Sequence, residues 1–214
     1  MIKLFSILLI LFLPTLDLYG QSTSVKKNDG LTIDPGIKAV AELYIEKSEP
    51  HEGIAEWLMY NSQMIVDFYL GDTLIISTRD KEIKRASKSF YYWRNDTLTI
   101  DGAFGLFGGF GFTIKIVNGH ATLYHLLASD EFPSYAYNEN DRLIPRLEVP
   151  CTETKIILSE LPDPKKKQLI YGYVEFKSSN FYSSNGSIDG KEIKPRNKNR
   201  NNMKMYFKSG ITPF

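Results

Sequence analysis

Three histidines, one cysteine and 25 carboxylates are the side chains with which this 214-residue chain can attempt acid–base, nucleophilic or metal chemistry. The histidines are His51, His120 and His125, and no spacing among them matches a helical or zinc-type ligand set. His120 and His125 are an odd number of positions apart, so on one extended strand they point to opposite faces. His125 lies among apolar neighbours and reads as a hydrogen-bonded core residue, whereas His51, between Pro50 and Glu52, reads as a loop residue. Cys151 stands near Leu147, Val149 and Ile156 and reads as a small buried hydrophobe. With no second cysteine, an internal disulfide is excluded. Neither a Gly-x-Ser-x-Gly nor a His-Glu-x-x-His sequence is present, so no local signature of a nucleophilic or metal-assisted hydrolase is found. A pair of acids such as Asp101 and Asp130 can be nominated for glycosidase-like work, but among 25 carboxylates that choice carries no information. The residues thus assemble no catalytic set and call for no cofactor and no metal. A hydrolase with a dispersed site is the weakest of the functional readings.

Two compositional features hold more promise. Residues 102–112 contain five glycines and four phenylalanines, Phe104, Phe107, Phe110 and Phe112, without the Gly-Lys-Ser/Thr ending of a phosphate loop. Glycines permit bulges and sharp bends while phenylalanines fill a core beneath them. The same segment can also form an apolar lid at the mouth of a hydrophobic cavity, which makes these four phenylalanines the candidate ligand-binding residues. The second feature lies in residues 191–208, where seven basic residues stand against Glu192 for a net charge of +6. Lys194, Arg196, Lys198, Arg200 and Lys204 are candidate contacts to an anionic membrane surface or envelope component, the plain alternative being a solvated loop at 191–202 between two terminal strands. No aromatic stacking platform is interleaved with these charges, which argues against nucleic acid.

The overall count of 26 Lys+Arg against 25 Asp+Glu conceals this asymmetry: residues 21–190 carry a net of −5. At the N-terminus, Lys3 precedes the apolar run Leu4–Leu13, too short for a membrane span of about 20 residues. Pro14 then breaks the run, and Gly20 precedes Gln21. This pattern predicts a cleavable signal peptide over 1–20 and export to a periplasmic or extracellular compartment.

The elements that must position these residues are strands. The predicted mature chain divides into a flexible segment over 21–36, one β-rich domain over 37–208 and a short tail over 209–214. Ile37 to Glu46 alternates apolar and polar residues and predicts a half-buried strand. Residues 65–70 and 73–78 flank Gly71-Asp72, and 89–93 and 97–100 flank a second Asn/Asp turn. Asn118-Gly119 is the strongest signal: it predicts a two-residue type I′ hairpin in which Val117 faces His120, with Phe112, Ile114 and Ile116 sharing a face with Ala121, Leu123, His125 and Leu127. Residues 143–149, 155–158, 168–176 and 203–207 also read as extended, while Glu52 to Tyr60 can hold one short helix. Many short strands at meander spacing predict an all-β fold, an antiparallel meander closing into a barrel or, second, a two-layer β-sandwich. In architecture alone this resembles the barrel-forming, lipocalin-like exported proteins. None of their short motifs is present, so the resemblance implies no particular site residues. The expected function is a non-enzymatic exported domain binding an apolar small molecule, lipid or envelope-associated ligand. The alternative is a structural or interaction protein of the cell envelope that uses its basic C-terminal segment.

Overall fold

The computed structural model describes residues 26–28, 30–47, 59–79, 84–104, 108–130 and 132–211. Its elements in chain order are β1 (Lys26–Asn28), β2 (Leu31–Ile33), α1 (Ile37–Tyr44), β3 (Ile45–Lys47), β4 (Met59–Leu70), β5 (Thr73–Ser77), β6 (Lys84–Arg94), β7 (Thr97–Phe104), β8 (Gly109–Val117) and β9 (His120–Ala128). They continue with β10 (Tyr135–Ala136), β11 (Arg146–Leu158), β12 (Ile170–Ser178), β13 (Phe181–Ser183), β14 (Ser187–Ile188), β15 (Lys191–Glu192) and β16 (Asn197–Ile211). The fold is nearly all β. Eight strands hydrogen-bond in a closed antiparallel ring, β11-β9-β8-β7-β6-β4-β16-β12 and back to β11. The ring is not an even barrel.

Its corners have local causes. The first part of β11, Arg146 to Pro150, pairs with β9, and the later part, Cys151 to Leu158, pairs with β12. Just after the switch of partner, between Thr152 and Lys155, the register with β12 slips and Glu153 takes a positive φ of 49°, the signature of a bulge that bends the strand. In the same way β4 pairs with β6 through residues 59–63 and with β16 through residues 64–70. The Asn118-Gly119 turn has φ of 49° and 81°, and Val117 pairs with His120 as its sequence requires.

The stretch Ile37 to Glu46, expected as a strand, is instead helix α1 followed by the start of β3. Its alternation conceals a second period: Ile37 and Ala41, four apart, are buried, while Leu43 is 74% exposed. Lysine, alanine, glutamate and leucine favour a helix over a strand. The preceding Asp34-Pro35-Gly36 starts it, with the Gly36 amide donating to Asp34 Oδ1 at 2.8 Å. Of the helix expected over 52–60, residues 59 and 60 begin β4 and the rest lie outside the described residues. Part of the segment expected as flexible, over 21–36, is ordered as β1 and β2, and β2 pairs with β11. The predicted leader lies outside the described residues.

Side chains from opposite walls meet inside the ring. Phe112 of β8 reaches Phe207 of β16 at a ring-centroid distance of 4.9 Å. His125 of β9 and Asn201 of β16 are hydrogen-bonded at 2.9 Å. Tyr60, Tyr91, Leu98, Ile100, Ile114 and Met205 complete a fully buried cluster. At about 2–3 kcal/mol per buried large side chain, this interior is the main source of stability in a chain with no disulfide. Glycine makes the closest approach possible: a Cβ on Gly102 would lie 2.4 Å from the Phe112 ring, and one on Gly111 would lie 1.9 Å from the Gly102 carbonyl oxygen.

Candidate ligand site at the long-loop end

The two ends of the ring differ. Two-residue turns join β6 to β7 and β8 to β9 at one end, which also carries the 159–169 connection from β11 to β12. The opposite end collects the β7–β8 connection, the 129–145 connection and the 179–196 segment, along with the tip of the β4–β5 hairpin. Long connections on a rigid scaffold are where binding sites concentrate.

This end is plugged from within. Phe104 and Phe110 lie 5.8 Å apart, and Phe110 meets Phe68 edge-on at 5.4 Å. His125 follows, with Phe110, Phe176 and Phe181 around its ring at 5.5 to 6.3 Å. Its Nδ1–H donates to the Gly111 carbonyl at 2.9 Å while Nε2 accepts from Asn201, and burial lowers its pKa to about 4. His125 is therefore a neutral, doubly satisfied core residue. His120, on the opposite face, is exposed at the hairpin turn. The four candidate phenylalanines separate accordingly: Phe104 and Phe110 close this end of the ring, Phe112 is deep in the interior, and Phe107 lies outside the described residues.

A groove of about 180 Å³ opens on the outer wall beside the glycine-rich connection. Phe90, Ala103, Leu126 and Ala128 form apolar walls, Gly108, Gly109 and Phe110 close one end, and Lys88, Asp130 and Arg146 stand around it. Asp101, 6% exposed, also lines the groove. The register puts it there: Phe90 pairs with Asp101, Asp101 with Thr113, and Gly111 with Leu126. Thr113 Oγ1 donates to Asp101 Oδ1 at 2.6 Å, and Arg146 approaches Oδ2 only to 3.9 Å. Burial raises the pKa of this carboxyl, with Thr113 and Arg146 opposing and Glu148 adding to the rise. Glu148 is itself held by Lys115 at 2.5 Å.

The basic segment is largely folded into the structure. Residues 191–202, expected as a loop, include β15 and the start of β16. Arg196 is buried: it binds Glu192 at 2.5 and 3.0 Å and donates to the Asp141 carbonyl at 2.6 Å. Those bonds, with Lys194 at 3.4 Å, hold the Glu192 carboxyl at about 2. Lys204 pairs with Glu175 at 2.5 Å, and Arg200 lies over the Tyr69 ring at 4.6 Å. Lys198 is exposed. These five residues thus do not form one basic patch.

Cys151 is a raised thiol, pushed up to about 12 by burial beside the His125 backbone. Among the described residues no group of three or more His, Cys, Asp or Glu is placed to hold a metal ion. Composition and pattern did not single out Arg146, Thr113 or Leu126, whose meeting around Asp101 is set by cross-strand register. Comparison with known protein families, with curated proteins and with solved structures gives no match for this chain.

Proposed function

We propose that this chain is a non-enzymatic, exported β-domain that binds a small, mainly apolar ligand in the Asp101 groove on its outer wall. Asp101 carries this reading. An acidic side chain kept nearly buried, with one oxygen satisfied and the other without a close partner, opposes folding and is expected where a ligand will meet it. Apolar walls with a few placed polar groups, here Asp101 within and Lys88, Asp130 and Arg146 around the edge, are the usual composition of a ligand site. The ligand's apolar body would lie on Phe90, Ala103, Leu126 and Ala128, and a hydroxyl or amide N–H would donate to Asp101. The packed interior argues against a ligand inside the ring, so the glycine-rich segment borders the site instead of covering a central cavity.

The test is fluorescence titration with 2-naphthol, an apolar ring system with one hydroxyl donor. A Kd on the order of 0.1–1 mM is expected for so few atoms. Ala103→Phe, which fills the groove from an outward-facing strand position, should abolish binding without loss of thermal stability. Equal binding by Ala103→Phe would refute the assignment. Native mass spectrometry of protein purified from its own host should then show the natural ligand as a mass adduct that Ala103→Phe lacks.

A further inference from the structure

The wall opposite the Asp101 groove carries a second, independent recess. On the outer face of β4, β16 and β12, hollows of about 120 and about 270 Å³ meet at Ile65 and Lys204, which line both. Along β16 they run from Asn202 to Tyr206, roughly 13 Å at 3.3 Å per residue, which is room for a short oligomer rather than one small molecule.

The first hollow holds acids and bases in equal number. Asp67 is bound by Arg79 at 2.5 Å, Glu175 by Lys204 at 2.5 Å, and Glu153 by Lys177 at 2.6 Å. A phosphate or sulfate ligand would have to break these pairs to gain a cation. A neutral ligand rich in hydroxyls need not, because each paired carboxylate keeps lone pairs that an O–H can meet. Asn202 adds a polar group in need of a partner: its Nδ2 donates to the Tyr69 hydroxyl at 3.3 Å, while its Oδ1 is buried with no hydrogen bond. The second hollow is aromatic. Tyr206 stacks on Tyr44 at 4.5 Å and meets Tyr173 at 4.8 Å, with Gln63 beside them and the Tyr173 hydroxyl donating to Glu175 at 2.9 Å. Aromatic rings present a negative face to the polarised C–H bonds of a pyranose, and hydrogen-bonding groups around them fix its hydroxyls.

We infer that this face is a binding site for a neutral oligosaccharide, with the accessible parts of the Tyr44, Tyr206 and Tyr173 stack packing against the sugar rings and Gln63, Glu175, Lys204 and Asn202 meeting its hydroxyls. Selectivity against anionic glycans rests on the first hollow, where each of the three cations is already paired with a carboxylate.

The experiment is isothermal titration of the protein with hexasaccharides of glucose in β-1,3, β-1,4 and α-1,4 linkage, of mannose, xylose and N-acetylglucosamine, and with a heparin hexasaccharide. At least one neutral sugar should bind with Kd below about 1 mM and heparin should not. Tyr206→Ala should weaken that binding at least about tenfold, whereas Tyr206→Phe should retain it within about threefold. Should Tyr206→Ala fail to fold, Gln63→Trp fills the second hollow from its exposed side and should abolish binding. Ala103→Phe, on the opposite wall, should leave sugar binding unchanged, which separates this site from the Asp101 groove. Absence of neutral-sugar binding at about 5 mM, binding of heparin alone, or undiminished binding by both Tyr206→Ala and Gln63→Trp would overturn the inference.

Discussion

Lowering the pH from 7.5 to 5 should remove about 2 kcal/mol of stability through one residue, His125. Its folded pKa, about 4, lies below the ordinary value of 6.5 because burial between Phe110, Phe176 and Phe181 disfavours the charged ring. Between those two values the unfolded chain takes up a proton that the folded chain refuses, so stability falls as pH falls. By pH 5 the window covers about one and a half pH units at about 1.4 kcal/mol each, and the loss reaches about 3 kcal/mol near pH 4. Carboxylates whose pKa values are lowered, such as Asp67 and Glu175, lose their contribution mainly at still lower pH. Asp101 works in the opposite sense, since a raised carboxyl favours the folded state as pH falls. Urea denaturation followed by tryptophan fluorescence at both pH values measures the sum, a midpoint shift of roughly 1 M at an ordinary slope for this size. His125→Gln keeps a donor and an acceptor in the core but does not titrate, so its stability should fall by about 2 kcal/mol less than that of the wild type. Equal pH dependence in the two proteins would refute the placement of His125 as a neutral, dry core residue.

Asp101→Asn should raise the thermal midpoint by about 2–4 °C, because it removes a desolvated charge while the amide oxygen still accepts from Thr113, and should weaken 2-naphthol binding about tenfold. Gly111→Ala should cost at least about 3 kcal/mol or prevent folding, seen by thermal unfolding, since even the smallest side chain would overlap the Gly102 carbonyl. Cys151 should resist iodoacetamide at pH 8 in the native protein and react rapidly in urea, because its thiol is held near 12 only while folded.

The legible parts of this fold were those written in local chemistry. Asn118-Gly119 announces its turn, and that turn alone sets the two-faced pairing of β8 with β9, including the inward direction of His125. Ile37–Tyr44 was not legible, because Ile37 and Ala41 satisfy both a period of two and a helical spacing, and only packing against β12 and β16 decides between them. The phenylalanine cluster was legible as a group but not in its division: Phe112 and Phe110 are two apart on one strand and share a face, yet one is in mid-ring and the other at the mouth. Asp101 alternates with Leu98 and Ile100 and so reads as solvent-facing. Its enclosure depends on Phe90, Leu126 and Arg146, which neighbouring strands bring in from up to 45 residues away in sequence. Arg196 looks like free charge in the sequence, yet its loop contacts with Asp141 and Glu192 bury it.

The most direct measurement of the central claim is a methyl NMR titration of the ¹³C-labelled protein with 2-naphthol. If the ligand binds on the outer wall, the methyl signals of Ala103, Leu126 and Ala128 should shift together with one Kd, and those of Leu98, Ile100, Ile114 and Met205 inside the ring should stay fixed. Shifts in the interior methyls, with Ala103, Leu126 and Ala128 unmoved, would contradict it and place the ligand within the ring.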